Sequence, residues 1–222
     1  MRLRLKALAG VLAITGAWMP LGLGQQQSTR SETTRLVHFK DVDLGLILAH
    51  MARDYERTIG FEVDPEKPKS PIVLDLREPT FAQILDGIVK AEPGYQWREN
   101  DGAIEVFPAN GGSSLLDMPI QSFQVKDVSR LAAINLLLGL PEVQAIASSM
   151  NLKKRPPIGL SEQTEKLSFD LRGVTLRQAL NRIATDSGAR FWVFRRYPDG
   201  TFEFSLSCCD YYAGKDDRWL KN

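Results

Sequence analysis

The chain has 222 residues, 43% hydrophobic and 25% charged, with 28 Lys and Arg against 27 Asp and Glu. That balance is typical of an ordinary folded globular protein and excludes a disordered or fibrous chain. Net charge is small, but the first half is acidic and the second basic, which suits either docking of one half on the other or an anionic partner for the second.

Residues 1–24 read as a secretory signal peptide. Arg2, Arg4 and Lys6 form a positive start, residues 7–19 an apolar run, and Gly22-Leu23-Gly24 offers small residues for cleavage near Gly24. A membrane anchor needs about twenty apolar residues; this run is shorter and is interrupted by Gly10 and Gly16, with Pro20 following. No later segment is apolar enough to span, so no transmembrane segment is expected after cleavage. No cysteine stands near the cleavage site to take a lipid. Export makes nucleotide cofactors and nucleic acid poor partners and favours oxidised thiols. The polar residues 25–34 read as a flexible tether.

Residues 35–108 form a first module. A strand ends in Lys40-Asp41-Val42, and a helix follows with Leu44, Ile47, Leu48, Met51, Ala52 and Tyr55 on one face. Ile72, Leu74 and Leu76 then alternate with Val73, Asp75 and Arg77 as in a half-buried strand. Thr80 stands before a second helical stripe of Phe81, Ile84, Leu85, Ile88 and Val89, where its hydroxyl can cap the first free amides. Asp101-Gly102 supplies the turn of a closing hairpin.

Residues 109–118, with Asn110-Gly111-Gly112-Ser113-Ser114, read as a flexible linker that lets two lobes move. A second module occupies 119–207. Lys126-Asp127-Val128 precedes a helix with Leu131, Ile134, Leu137 and Leu138, and Leu167, Phe169 and Leu171 make the half-buried strand. Thr175 caps the next helix, and Asp199-Gly200 turns the hairpin. Residues 141–166 have no counterpart of equal length: 142–150 can form a helix, while Lys153-Lys154-Arg155-Pro156-Pro157 reads as an irregular, exposed basic loop. In the tail, 208–222, Tyr211, Tyr212 and Trp219 are expected to pack back on the domain.

The modules are copies. Asp75, Leu76, Arg77, Thr80, Gln83, Leu85, Ile88 and Trp97 recur at one constant spacing as Asp170, Leu171, Arg172, Thr175, Gln178, Leu180, Ile183 and Trp192. That agreement in side-chain phase and turn chemistry marks an internal duplication. A strand ending in "KDV", strands reading "VLDLREPT" and "SFDLRGVT", and helices reading "FAQILDGI" and "LRQALNRI" resemble the N-terminal short domain of secretins and TonB-dependent receptors. The resemblance implies an α+β fold of two tandem small domains, each with two helices packed between small two- and three-stranded sheets. It also implies recognition of proteins in the cell envelope; the sequence departs from the family pattern in that no secretin or barrel segment follows, so a stand-alone adaptor is expected in place of a pore.

Chemistry is sparse. His38 and His50 lack neighbours at metal-ligand spacing, and no nucleophile elbow, phosphate loop or dinucleotide fingerprint occurs. No catalytic residue, metal or cofactor is therefore expected, and the chain is read as a non-enzyme. Asp75 with Arg77, and Asp170 with Arg172, read as ion pairs on the solvent side of their strands. Trp97 and Trp192 read as core, with ligand stacking as the lesser use. Cys208 and Cys209 leave three outcomes open: a strained vicinal disulfide, free thiols, or an intermolecular bridge through Cys209 that makes a dimer. The expected function is a periplasmic adaptor for an outer- or inner-membrane envelope protein. The alternative is a binding module for an anionic envelope polymer or small ligand through Lys153, Lys154, Arg155, Arg195 and Arg196.

Overall fold

The computed structural model describes residues 36–66, 71–155 and 165–207. The expected leader, tether and tail, with Cys208 and Cys209, lie outside them. The fold is mixed α+β. In the first copy, β1 (Leu36–Val42), α1 (Leu44–Asp54), β2 (Thr58–Val63), β3 (Ile72–Arg77), α2 (Phe81–Ala91), β4 (Tyr95–Asn100) and β5 (Ala103–Pro108) follow in order. The second copy begins with β6 (Pro119–Ser129), α3 (Arg130–Leu138), α4 (Pro141–Ser149) and β7 (Lys153–Lys154). It ends with β8 (Lys166–Thr175), α5 (Leu176–Asp186), β9 (Phe191–Arg196) and β10 (Thr201–Ser207).

The duplication reaches into backbone detail. β1 pairs antiparallel with β3, β6 pairs antiparallel with β8, and each pair slips register at the same place, between Phe39 and Val42 and between Val125 and Val128. Both α2 and α5 open on a capping box. Thr80 accepts from the Gln83 amide and Thr175 from the Gln178 amide, while each glutamine side chain reaches back to the cap. We expect Thr80→Ala and Thr175→Ala each to cost about 1 kcal/mol, read as matching shifts in denaturant midpoint. A loss confined to one would show that the two copies do not use the caps alike.

Strand β2 and its counterpart β7 carry no signal in the sequence pattern, yet they organise the molecule. β2 pairs parallel with β5, with Thr58 opposite Ala103, and β7 pairs parallel with β10, with Lys153 opposite Thr201. Each copy thus holds a three-stranded unit, and the units fuse where β2 pairs parallel with β9. The result is one six-stranded sheet in the order β4-β5-β2-β9-β10-β7. Alternation along the strands sends Ile59, Phe61, Val106 and Phe191 into a core with α1 and α2 on one face. Trp192, Phe194, Phe202 and Phe204 enter a second core with α3 and α5 on the other face.

Two expectations change. The stretch 109–118 is not a free linker: Ser113, Leu115 and Leu116 are buried, and the Leu116 and Met118 carbonyls accept from the Arg177 and Leu176 amides at the start of α5. Leu115, Leu116 and Met118 supply apolar surface that Gly and Ser alone lack, so the chain is drawn into the second core. The segment 141–166 is not wholly an insert, since β7 within it repeats β2; the true addition is α4, a second helix where the first copy has only α1. Among the described residues no single helix is long and apolar enough to cross a membrane.

Candidate functional site

The predicted basic cluster does not converge. Register and strand alternation put Lys153, Arg155 and Arg195 on one face of the six-stranded sheet and Lys154 and Arg196 on the other. Lys153 and Lys154 form edge strand β7, not an irregular loop, because their main chain bonds to β10. Lys154 Nζ donates to Asn135 Oδ1 at 2.7 Å, and burial lowers its pKa. Arg155 lies 3.5 Å from the Tyr197 ring centroid and donates to Asp199 Oδ2 and Thr201 Oγ1, each at 2.6 Å. The Thr201 hydroxyl and amide, together with Arg155, hold the Asp199 carboxyl down at about 2. These contacts consume the charge of Arg155 in bracing the hairpin.

The expected strand-face ion pairs also divide. Asp170 pairs with Arg172 at 3.1 Å as read, but Asp75 pairs across the sheet with His38 instead of with Arg77. His50 is buried on α1. Of the tryptophans, Trp192 is fully buried whereas Trp97 is half-buried, although each indole donates to the preceding helix, Trp97 to Asp86 at 2.9 Å and Trp192 to Asn181 at 2.7 Å.

The densest polar chemistry lies where the copies meet. Arg177, 1% exposed on α5, donates from Nη2 to Glu62 Oε2 on β2 at 3.1 Å and from Nε to Asp117 Oδ1 at 2.9 Å. Glu105 on β5, fully buried, accepts from Arg98 Nε at 2.6 Å and from Asn181 Nδ2 at 3.3 Å. Asn181 in turn receives the Trp192 indole, so a single chain of bonds links β5, α5 and β9. Gly112 lets the main chain pass over this cluster: a Cβ there would stand 2.9 Å from Arg177 Nη2 and 3.0 Å from Glu62 Oε2. Burial pushes the Glu62 carboxyl above its ordinary range, and Arg177 pulls in the opposite direction. At the middle of the joint Gly60 faces Trp192, and a Cβ on Gly60 would lie 2.2 Å from the indole Cζ2.

The cluster has a buried centre in Glu62, Glu105 and Arg177 and a half-exposed rim in Arg98 and Asp117, and it bridges the two copies as a lock. It fixes one copy on the other through charges that are costly to separate once buried. The sequence shows neither half of it. Arg177 and Asn181 sit on what reads as the solvent side of an amphipathic helix, and they are covered only once β2 and β5 of the first copy are laid against α5.

No family model and no curated protein matches the chain. Among solved structures it aligns with a candidate anti-sigma factor from Parabacteroides distasonis ATCC 8503, at 16% identity and a TM-score of 0.30, over 34% of this chain and 35% of that one. The alignment thus spans about a third of either protein.

Proposed function

We propose that the chain is a non-catalytic adaptor of the cell envelope, exported to the periplasm, which presents a rigid two-repeat scaffold to a protein partner. The observation that carries this reading is the unequal fate of two equivalent strand edges. In the second copy the edge of β9 is taken by β2, whereas the same edge in the first copy, on β4, ends the sheet among the described residues. An open edge with its main-chain groups turned outward accepts an extended segment, and main-chain bonds then supply the affinity. The sequence resemblance to domains that meet envelope machinery supports the same reading, and so does the polar lock, which keeps the sheet a single platform.

The dispersal of the five basic residues over two sheet faces favours this reading over polymer binding. Affinity capture from gently solubilised envelopes, at low and moderate salt, tests it. One membrane protein is expected to be retained at both salts, because an edge of main-chain bonds is weakly screened. Capture of no protein above background, with retention of anionic glycan only at low salt, would overturn the adaptor reading.

A further inference from the structure

The joint between the copies has two halves, and the duplication supplies each half twice. One half is β2, with Ile59, Gly60 and Phe61; the register of β2 on β5 and of β7 on β10 makes Lys154 and Arg155 the counterparts of Ile59 and Gly60, and Pro156 follows where β2 has Phe61. The other half is β9, whose counterpart is β4, with Trp97 in the place of Trp192. In the joint the Ile59 amide donates to the Arg190 carbonyl at 2.7 Å, and the Trp192 indole overhangs β2, where only a glycine leaves room.

β4 reproduces the β9 half. Its indole is tied to the helix behind it in the same way, which by the repeat would set the Trp97 ring toward the edge of β4 as that of Trp192 is set toward β2; the half-burial of Trp97 accords with an edge that no described strand covers. The backbone phase agrees. Ala109 donates to the Gly94 carbonyl, so Gly94, Gln96 and Arg98 turn their main chain to β5, and Trp97 and Glu99 turn theirs outward. The β7 edge of a second copy does not fit there, because it would bring Arg155, where β2 has Gly60, against the indole.

We infer that the β4 edge is a docking site for one extended strand of a partner protein, laid parallel to β4, with a glycine against Trp97 and an acidic residue two positions before it. The glycine follows from Gly60. The acid follows from Thr58, two residues before Gly60, whose hydroxyl meets Thr185 on α5 at 2.7 Å; the counterpart of Thr185 on α2 is the exposed Lys90. This inference rests on the adaptor reading and names its surface.

The test uses a fluorescent peptide with the sequence of residues 57–64, carrying Asp in place of Thr58 and Thr in place of Glu62, titrated with the full chain and followed by polarisation. Saturable binding below about 1 mM is expected. Glu99→Pro, which removes an outward amide without breaking a bond to β5, should weaken it at least tenfold, as should valine for glycine in the peptide. Lys90→Glu, an exposed change that leaves the edge intact, should weaken it several-fold and serves where the proline variant fails to fold. Absence of saturable binding, or equal binding of the glycine and valine peptides, overturns the inference. A membrane protein captured equally by wild type and by the Glu99→Pro chain would overturn this surface while leaving the adaptor reading intact; capture by neither would remove the adaptor reading itself.

Discussion

Gly60→Ala is expected to destabilise the protein by about 3 kcal/mol or more, although it adds a single methyl group. The added Cβ would stand 2.2 Å from Cζ2, 2.4 Å from Cε2 and 2.8 Å from Nε1 of Trp192. The ring cannot swing aside cheaply. It is fully buried, packs against Phe204 with centroids 6.1 Å apart, and is held by its bond to Asn181, which also serves Glu105. Moving it breaks the Trp192–Asn181–Glu105 chain and leaves buried polar groups unpaired, which costs more than the displaced contacts alone. For a domain of this size about 3 kcal/mol is a fall of roughly 10 °C in melting temperature. Gly102→Ala is the control: φ is +76° there but nothing lies within 4 Å, so only backbone strain of about 1 kcal/mol is expected. Trp192→Phe should be costly alone, yet combined with Gly60→Ala the loss should be less than the sum by about 1 kcal/mol. Thermal unfolding of the four chains decides it. Additive losses would mean that the two residues do not meet as the joint requires.

That glycine shows why the sequence is readable only in part. Thr80 and Thr175, the helix stripes, the hairpin turns and the paired tryptophans all act within a few residues of themselves, so their local chemistry announces them and their recurrence confirms the duplication. β2 announces nothing: Thr58-Ile-Gly-Phe-Glu-Val63 has a glycine at its centre and an acid near its end, which weaken any strand pattern. Both features make sense only across the joint, where Gly60 admits the indole and Glu62 meets Arg177. β7 is harder still, since two lysines are a strand only by virtue of β10 beside them. The basic run was legible as charge but not as geometry, because the alternation of a strand sends neighbouring side chains to opposite faces. The Gly-Ser stretch misleads in the other direction: its composition suggests freedom, while Leu115 and Leu116 just beyond it bind it into a core.

Arg177→Met should be about as damaging as the glycine substitution, by roughly 3–5 kcal/mol near neutral pH, because it strands the buried Glu62 carboxylate without its cation. The pH dependence separates this from simple loss of packing. In the native protein burial raises the Glu62 pKa above the value it has in the unfolded chain, and Arg177 limits the rise. Below the ordinary carboxylate range both states hold the proton and Glu62 adds no pH-dependent term. As pH climbs, the unfolded chain releases its proton first, so stability falls until the folded-state value is passed, then levels. Removing Arg177 lifts the folded-state value further, which lengthens that window upward and deepens the loss. The deficit of Arg177→Met should accordingly be smallest near pH 4 and grow toward pH 7, measured by denaturant titration at each pH. Glu62→Gln in the same chain should recover part of it, and Glu62→Leu beside Arg177→Met should recover more, since an apolar pair of similar volume carries no desolvation cost. A deficit independent of pH would assign Arg177 to packing alone. Growth with pH would establish that Arg177 is what makes the buried Glu62 carboxylate tolerable in the seam between the two copies.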